Sequence, residues 1–287
     1  MNLWNTDTEV EFFTQALKNF ATPEQLFYKL ASGYFAYIPN KVNSESQTLQ
    51  SRNSLIGNFT EKWCRNLLEP IAKSLGLYAV NGMVCEEIGL SKLTSADVAF
   101  CTTNAINQKA ENVKLLFEVK MSITGNYQYL PNNQEIKYIG DYKSHKGQPS
   151  IMRSDSMLKA IGKSINIRVS GLASSKIPIF VIGNTPITES YQSKVDFLKN
   201  AGVIQGFISV NPQPTQTSFL KQTPQLGFQT IHNQEELSNI LNEVLSNNLN
   251  FFSSMISKQK LGEIVYLAAQ EASPIIRAEK FLSLIKA

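Results

Sequence analysis

Residues 113–123 read VKLLFEVKMSI, and this stretch decides the fold. Its β-branched and aromatic centre makes it the clearest strand of the chain. Charges are confined to Lys114, Glu118 and Lys120. In a strand, side chains at i and i+2 point to the same face. Glu118 and Lys120 therefore project together, a carboxylate and an amine, from a segment that otherwise reads as buried.

Working outward, residues 95–100 (SADVAF) form a second short apolar strand carrying Asp97, and 107–112 (NQKAEN) a turn between the two. Further upstream, Phe59, Trp63, Leu67, Ile71 and Leu75 recur every four residues and predict a helix from about 55 to 75, with Gly76 as its stop and Pro70 as a candidate kink. In 77–90 (LYAVNGMVCEEIGL), Asn81-Gly82 reads as a hairpin-type turn between short apolar runs. Downstream, 124–150 is a polar, tyrosine-containing insertion. Residues 154–167 predict a helix capped by Ser154 or Asp155, 177–183 a buried strand, 190–200 a helix ending at Gly202, and 203–210 another strand. A strand-helix-strand order calls for a crossover and some parallel pairing.

At the ends, the spacing of Val10, Phe12, Phe13, Leu17 and Phe20, continued by Leu26, Phe27, Leu30 and Phe35, predicts helix over 9–37. A polar linker follows at 39–53, and a Pro/Gln/Thr-rich loop occupies 211–230. Helices are expected at 233–247, 256–270 and 275–286. The fold class is α/β: a central mixed β-sheet flanked by helices, with helical N- and C-terminal additions. The expected organisation is a single domain of 1–287, with an N-terminal extension over 1–50, a core over 54–210 and C-terminal helices over 233–287.

The composition narrows the function classes. Of 287 residues, 43% are hydrophobic and 17% charged, which supports a packed core rather than disorder. No run approaches the roughly 18 apolar residues of a membrane span. The N-terminus lacks a basic-then-apolar pattern, so no secretory signal is expected. Cys64, Cys85 and Cys101 have no zinc-like spacing and leave an odd count, which favours a reducing, cytoplasmic setting. They read as buried small apolar residues. Two histidines, His145 and His232, offer little to a zinc-histidine enzyme or a Ser-His triad. Glycine-rich nucleotide loops are absent. A net charge of +4 permits a polyanionic partner without requiring one.

Three features converge on chemistry: Asp97 in its strand, the Glu118/Lys120 pair, and Glu61 in the long helix. Three carboxylates and a lysine in one pocket would bind Mg²⁺ through hard oxygen ligands. The ion neutralises phosphate charge and activates water, and a lysine orients that water or stabilises transition-state charge. Phosphodiester hydrolysis needs such groups.

Asp97 followed 21 residues later by Glu118-Val119-Lys120 resembles the PD-(D/E)xK nuclease superfamily. The order of helix, three-strand meander, helix and strand over about 54–210 is similar to that family's core, and Glu61 in GNFTEKW resembles its helix-borne glutamate. Ala96 stands where the family usually has proline. Chain length and the lack of helicase or methylase motifs look like a stand-alone type II restriction endonuclease, part of a restriction-modification pair. The resemblance implies a Mg²⁺-dependent, sequence-specific endodeoxyribonuclease acting on double-stranded DNA as a homodimer. Asp97, Glu118 and Glu61 would bind metal and Lys120 would activate water.

Two other placements stay open: Asp141-Tyr142-Lys143 is a second D-x-K, and Glu86 or Glu87 is a substitute for Glu61. Candidate DNA contacts are Arg153, Lys159 and Lys163 on or beside the helix at 154–167, and Lys143, Lys146, Asn132 and Asn133 in the insertion. Asn side chains pair with adenine edges and Lys with guanine. Lys159 and Lys163 share a helix face. Each also has a plain reading as a solvated surface group, as His145 does as a loop histidine in reach of phosphate. Trp4 and Trp63 read as core anchors, His232 as structural. The terminal helices, with Phe251, Phe252, Met255, Ile256, Leu261, Ile264 and Leu267, either cover the sheet or form a subunit interface. Alternatives to the restriction enzyme are a structure-specific or repair nuclease of the same fold, and a non-enzymatic DNA-binding or assembly protein.

Overall fold

The structure, a computed structural model, describes residues 2–42, 49–253 and 255–286. The expected linker at 39–53 lies partly outside these residues. The chain divides into two compact units, residues 1–249 and 250–287.

The first unit is built on a mixed six-stranded sheet flanked by helices, as expected. Helix α1 (Thr6–Asn19) and the short α2 (Pro23–Leu26) open the chain, followed by β1 (Tyr28–Leu30) and β2 (Gly33–Phe35). The helix predicted through residue 37 therefore stops early. Phe27 leaves α2 in extended backbone, and Gly33, at φ +125, turns β1 back on β2. Next come α3 (Gln50–Ser74), β3 (Tyr78–Met83), β4 (Ala96–Cys101) and β5 (Val113–Val119), an antiparallel meander behind a long helix. Pro70 sits inside α3 without ending it, and Gly76 at φ +69 closes it.

The insertion is ordered rather than a loop: β6 (Asn126–Leu130) and β7 (Glu135–Gly140) form a hairpin. It pairs with the N-terminal hairpin in a second sheet of order β1-β2-β6-β7. Then α4 (Ser154–Val169) crosses over to β8 (Ile179–Gly183), which lies parallel to β5. Helix α4 begins after Arg153 with no side-chain cap, so neither Ser154 nor Asp155 plays the expected capping role. Helix α5 (Gln192–Asn200) leads to β9 (Gly206–Ser209), and the 211–230 segment ends in a short parallel strand, β10 (Phe228–Thr230). The main sheet runs β10-β9-β8-β5-β4-β3. Helix α6 (Gln234–Ser246) is capped by Asn233, and α7 (Lys258–Ala269) and α8 (Pro274–Lys286) make up the second unit.

Asn81-Gly82 is not a hairpin turn. β3 runs straight through it, and Gly82 at φ +64 distorts the strand without reversing it. The pairs Asn81↔Val98 and Met83↔Ala96 leave Gly82 facing Asp97 across the ladder.

The alternation of β4 and β5 sorts their side chains onto two faces. Val98, Phe100, Leu115 and Phe117 pack with Trp63, Cys64, Leu67 and Ile71 of α3. Ala99, Cys101 and Leu116 face the other way and pack with Ile167 of α4. Further along the sheet, Val181, Phe207 and Phe228 meet Met157 and Ala160 of the same helix. All three cysteines are buried and free. Trp4 and Trp63 meet edge to face at 5.2 Å inside the core, as anchors. Among the described residues, no helix is long and apolar enough to cross a membrane.

Candidate active site

The site forms where β4 and β5 part. Their ladder ends at Val98↔Phe117, so the Val119 N–H has no strand partner there. The Asp97 carboxylate takes that place: its Oδ2 accepts from Val119 N at 2.6 Å. By the same register Asp97 and Glu118 stand opposite each other on the α4 face of the sheet. Asn81 Nδ2 donates to the Asp97 carbonyl at 2.6 Å and ties β3 to the same point.

Two ammonium groups meet these carboxylates. Lys120 Nζ lies 2.5 Å from Glu118 Oε1 and 3.9 Å from Asp97 Oδ2. Lys163 Nζ, reaching in from α4, lies 2.5 Å from Glu118 Oε2 and 3.2 Å from Asp97 Oδ1. Burial pushes the Glu118 carboxyl above its ordinary value, and the charge of Asp97 pushes it further. Burial works against the charge on Lys163, but the facing Asp97 and Glu118 outweigh it and hold the ammonium above the usual lysine value.

Glu61 approaches from α3. Burial, and then the charge of Asp97, raise its carboxyl, while a hydrogen bond from Asn81 pulls it down. It thus feels the site electrostatically. Among the described residues, however, no group of three or more His, Cys, Asp or Glu is gathered closely enough to hold a metal ion. The expected three-carboxylate pocket is a pair, Asp97 and Glu118, with Glu61 beside it. The pair nonetheless has a cation-binding arrangement: Asp97 Oδ1 and Glu118 Oε2 converge on one positive atom, Lys163 Nζ. Their hard oxygens are of the type Mg²⁺ takes.

The backbone that carries Lys120 is fixed by a network that sequence reasoning missed. Ser150 Oγ donates to the Lys120 carbonyl at 2.6 Å and accepts from Asn184 N at 3.0 Å. Ser150 N donates to Ser122 Oγ at 2.8 Å, and Asn184 Nδ2 to the Ser122 carbonyl at 2.7 Å. Ser150 adopts φ +55, left-handed backbone that a non-glycine residue holds at a cost. No motif marks Ser122, Ser150 or Asn184 in the sequence, because the network closes between loops distant along the chain.

Beside Lys120 opens a cleft of about 810 Å³, lined among others by Tyr37, Lys146, Arg153 and Lys159. Arg52 also lines it but is committed to structure: its guanidinium donates to the carbonyls of Leu26 and Ala36 and lies over the rings of Tyr28 and Tyr37.

The predicted DNA contacts therefore separate. Lys146, Arg153 and Lys159 line the cleft, although Arg153 holds Asp155 in a two-pronged pair at 2.9 and 2.8 Å. Lys163 sits on the carboxylates instead. Lys143 reaches Thr217 Oγ1 at 2.5 Å and the Ser218 carbonyl at 3.2 Å. Asn132 and Asn133 are exposed in the β6–β7 turn and do not line the cleft.

The rival placements lie elsewhere. Asp141 accepts from Lys143 N at 2.9 Å and from the Thr215 hydroxyl, closing a loop. Glu87 accepts from Ala110 N at 2.7 Å, while Glu86 is exposed. His145 is not a phosphate-reaching loop residue. It is buried, stacked on Tyr37 at 3.9 Å, and burial pushes its pKa down to about 4. His232 is exposed and pairs with Glu236 one turn along α6.

No family model matches the chain, and no curated protein or solved structure does so either.

Proposed function

We propose that the protein is a Mg²⁺-dependent endodeoxyribonuclease that hydrolyses phosphodiester bonds of double-stranded DNA at specific sequences, as type II restriction enzymes do. The observation that carries this reading is the convergence of Asp97 and Glu118 on Lys120, which itself lines a cleft that also presents Lys146, Arg153 and Lys159.

Each residue has a role in that chemistry. The cleft lysines and Arg153 draw in the phosphate backbone and set its register. Asp97 and Glu118 would hold the metal, with Glu61 acting on its water shell. When bound, the ion supplies charge neutralisation at the phosphate and a more acidic water. Lys120 orients the attacking water and meets the negative charge that develops on the phosphorus oxygens. Ser150 and Asn184 hold the Lys120 backbone so that its ammonium starts from a fixed origin.

Cutting both strands of a palindromic site calls for a twofold-symmetric homodimer. The second unit supplies apolar surface for such an interface, with Val265, Tyr266, Leu267 and Ile275 all exposed.

A second reading rests on the two lysines. They already neutralise both carboxylates, as they would in a DNA-binding protein without catalysis. Incubating the purified protein with phage DNA, with Mg²⁺ and with EDTA, separates the readings. Discrete fragments only with Mg²⁺ are expected. A smear would point to a structure-specific or repair nuclease, and intact DNA that is bound in both lanes would point to the binding protein.

A further inference from the structure

Lys163 departs from the role its helix position suggests. Its Nζ is held by three oxygens: Glu118 Oε2 at 2.5 Å, Ser95 O at 2.7 Å and Asp97 Oδ1 at 3.2 Å. Two of the three belong to the carboxylates that the nuclease reading assigns to a divalent ion. An ammonium and a divalent cation cannot share the same oxygens, because like charges at that range repel strongly in a partly buried site. Lys120 is placed differently. It contacts the other oxygen of Glu118 and stands 3.9 Å from Asp97, leaving the gap between the carboxylates to Lys163.

The lysine also has somewhere to go. Lys159 lies one helical turn before it on α4 and lines the cleft. A lysine stem is long and flexible, and its head group is a point charge that carries over readily from carboxylate to phosphate.

We propose that Lys163 is an exchangeable counter-cation, holding Asp97 and Glu118 together while no metal is bound and yielding both when a divalent cation arrives, to meet a substrate phosphate from the cleft wall. This rests on the nuclease reading. It has a thermodynamic consequence: whatever draws Lys163 away from the carboxylates raises their affinity for metal, and metal in turn raises the affinity for the anion by the same factor.

The test uses the full chain and Mn²⁺ alone, with binding followed by titration calorimetry and no DNA present. Lys163→Met should bind Mn²⁺ about tenfold or more tightly than the wild type, since a competing charge has been removed. Lys163→Gln should behave in the same way and serves if the Met variant folds poorly. Lys163→Arg, which keeps the charge, should stay near the wild type. The melting temperature of Lys163→Met without metal should fall below the wild type's and recover when Mn²⁺ is added. Equal Mn²⁺ affinity in the wild type and in both uncharged variants would overturn the exchange while leaving the metal site intact. Absence of Mn²⁺ binding in every variant would overturn the nuclease reading along with it.

Discussion

Asp97 accepts a hydrogen bond from the backbone N–H of Val119 at 2.6 Å, and Val119 is the residue between Glu118 and Lys120. The aspartate thereby replaces a lost rung of the sheet and sets the distance between the two strands that carry the site. Exchanging its carboxylate for an amide of the same shape should keep this contact and lose the charge. Asp97→Asn is expected to melt within a few degrees of the wild type and to abolish DNA cleavage in Mg²⁺, as Lys120→Ala should. Wild-type cleavage by either variant would end the assignment.

Ser150 acts through Lys120 rather than on substrate. In Ser150→Ala the Lys120 carbonyl loses its donor and Asn184 N its acceptor. The expected result is a fall in kcat of about tenfold or more with KM little changed, because misplacement of a reacting group costs rate before it costs binding. Steady-state kinetics on a short duplex would show it. A change in KM alone would place Ser150 in substrate binding instead.

Lys146 and Lys159 line the cleft without an ion-pair partner among the described residues. Changing either to Ala should weaken DNA binding evenly across sequences and lower the salt dependence of the binding constant by about one phosphate contact. Fluorescence anisotropy over a salt series measures this. An unchanged slope would remove that lysine from the path of the DNA.

Glu9 is buried and collects donors from distant parts of the chain: Trp4 Nε1, Thr124 N and Oγ1, Gly125 N and the Tyr127 hydroxyl, all within 2.9 Å. Glu9→Ala should cost about 3 kcal/mol or more, since several buried donors lose their acceptor together. Urea unfolding of the variant is the direct check, and a loss below about 1 kcal/mol would mean that water replaces the carboxylate.

His145 gives the stability a pH dependence whose sign can be worked out. Its pKa is pushed down to about 4 in the folded chain, against about 6.5 when unfolded. Below pH 6.5 the unfolded chain therefore binds a proton that the folded chain refuses. The stabilisation is complete above about pH 6.5 and is lost as pH falls toward 4, by at most about 3 kcal/mol. His145→Phe keeps an aromatic ring against Tyr37 and should flatten that part of the profile, whatever its effect at neutral pH. An identical slope in both proteins would assign the pH dependence to other groups.

The centre of the main sheet, β4, β5, β8 and β9, was legible in the sequence because its strands are short apolar runs broken by turns, whereas β10 lay inside the expected loop at 211–230. Residues 113–119 and 179–183 are buried nearly throughout, and the α3 stripe repeats every fourth position. Asp97, Glu118 and Lys120 stood out for a related reason: each is a charge inside an apolar strand context. Three features were hidden. Phe27 and Phe35 fit a helical spacing, yet their burial comes from a hairpin that finds its pairing partner only near Tyr129. Asn81-Gly82 carries turn chemistry, yet five paired residues on each side of the β3–β4 ladder overrule it. The role of Lys163 depends on how α4 lies across the sheet, which helical periodicity does not encode. Glu9 did leave a signal. It precedes Phe12, Phe13 and Ala16 by three, four and seven positions, so a carboxylate sits on the apolar stripe of α1.

The pairing of β2 with β6 sets an order on synthesis. Tyr34 leaves the ribosome long before Tyr129, its partner in the ladder, and Glu9 precedes Thr124 and Gly125 by still more. β2 must wait without its β6 partner, and Glu9 without its donors at 124–127, until the β6–β7 hairpin has emerged. Contacts of such separation slow folding, since a long loop must close before they contribute. A nascent chain that stalls before β6 leaves Phe13 without Tyr127 and the edge of β2 open, the kind of surface on which chaperones act.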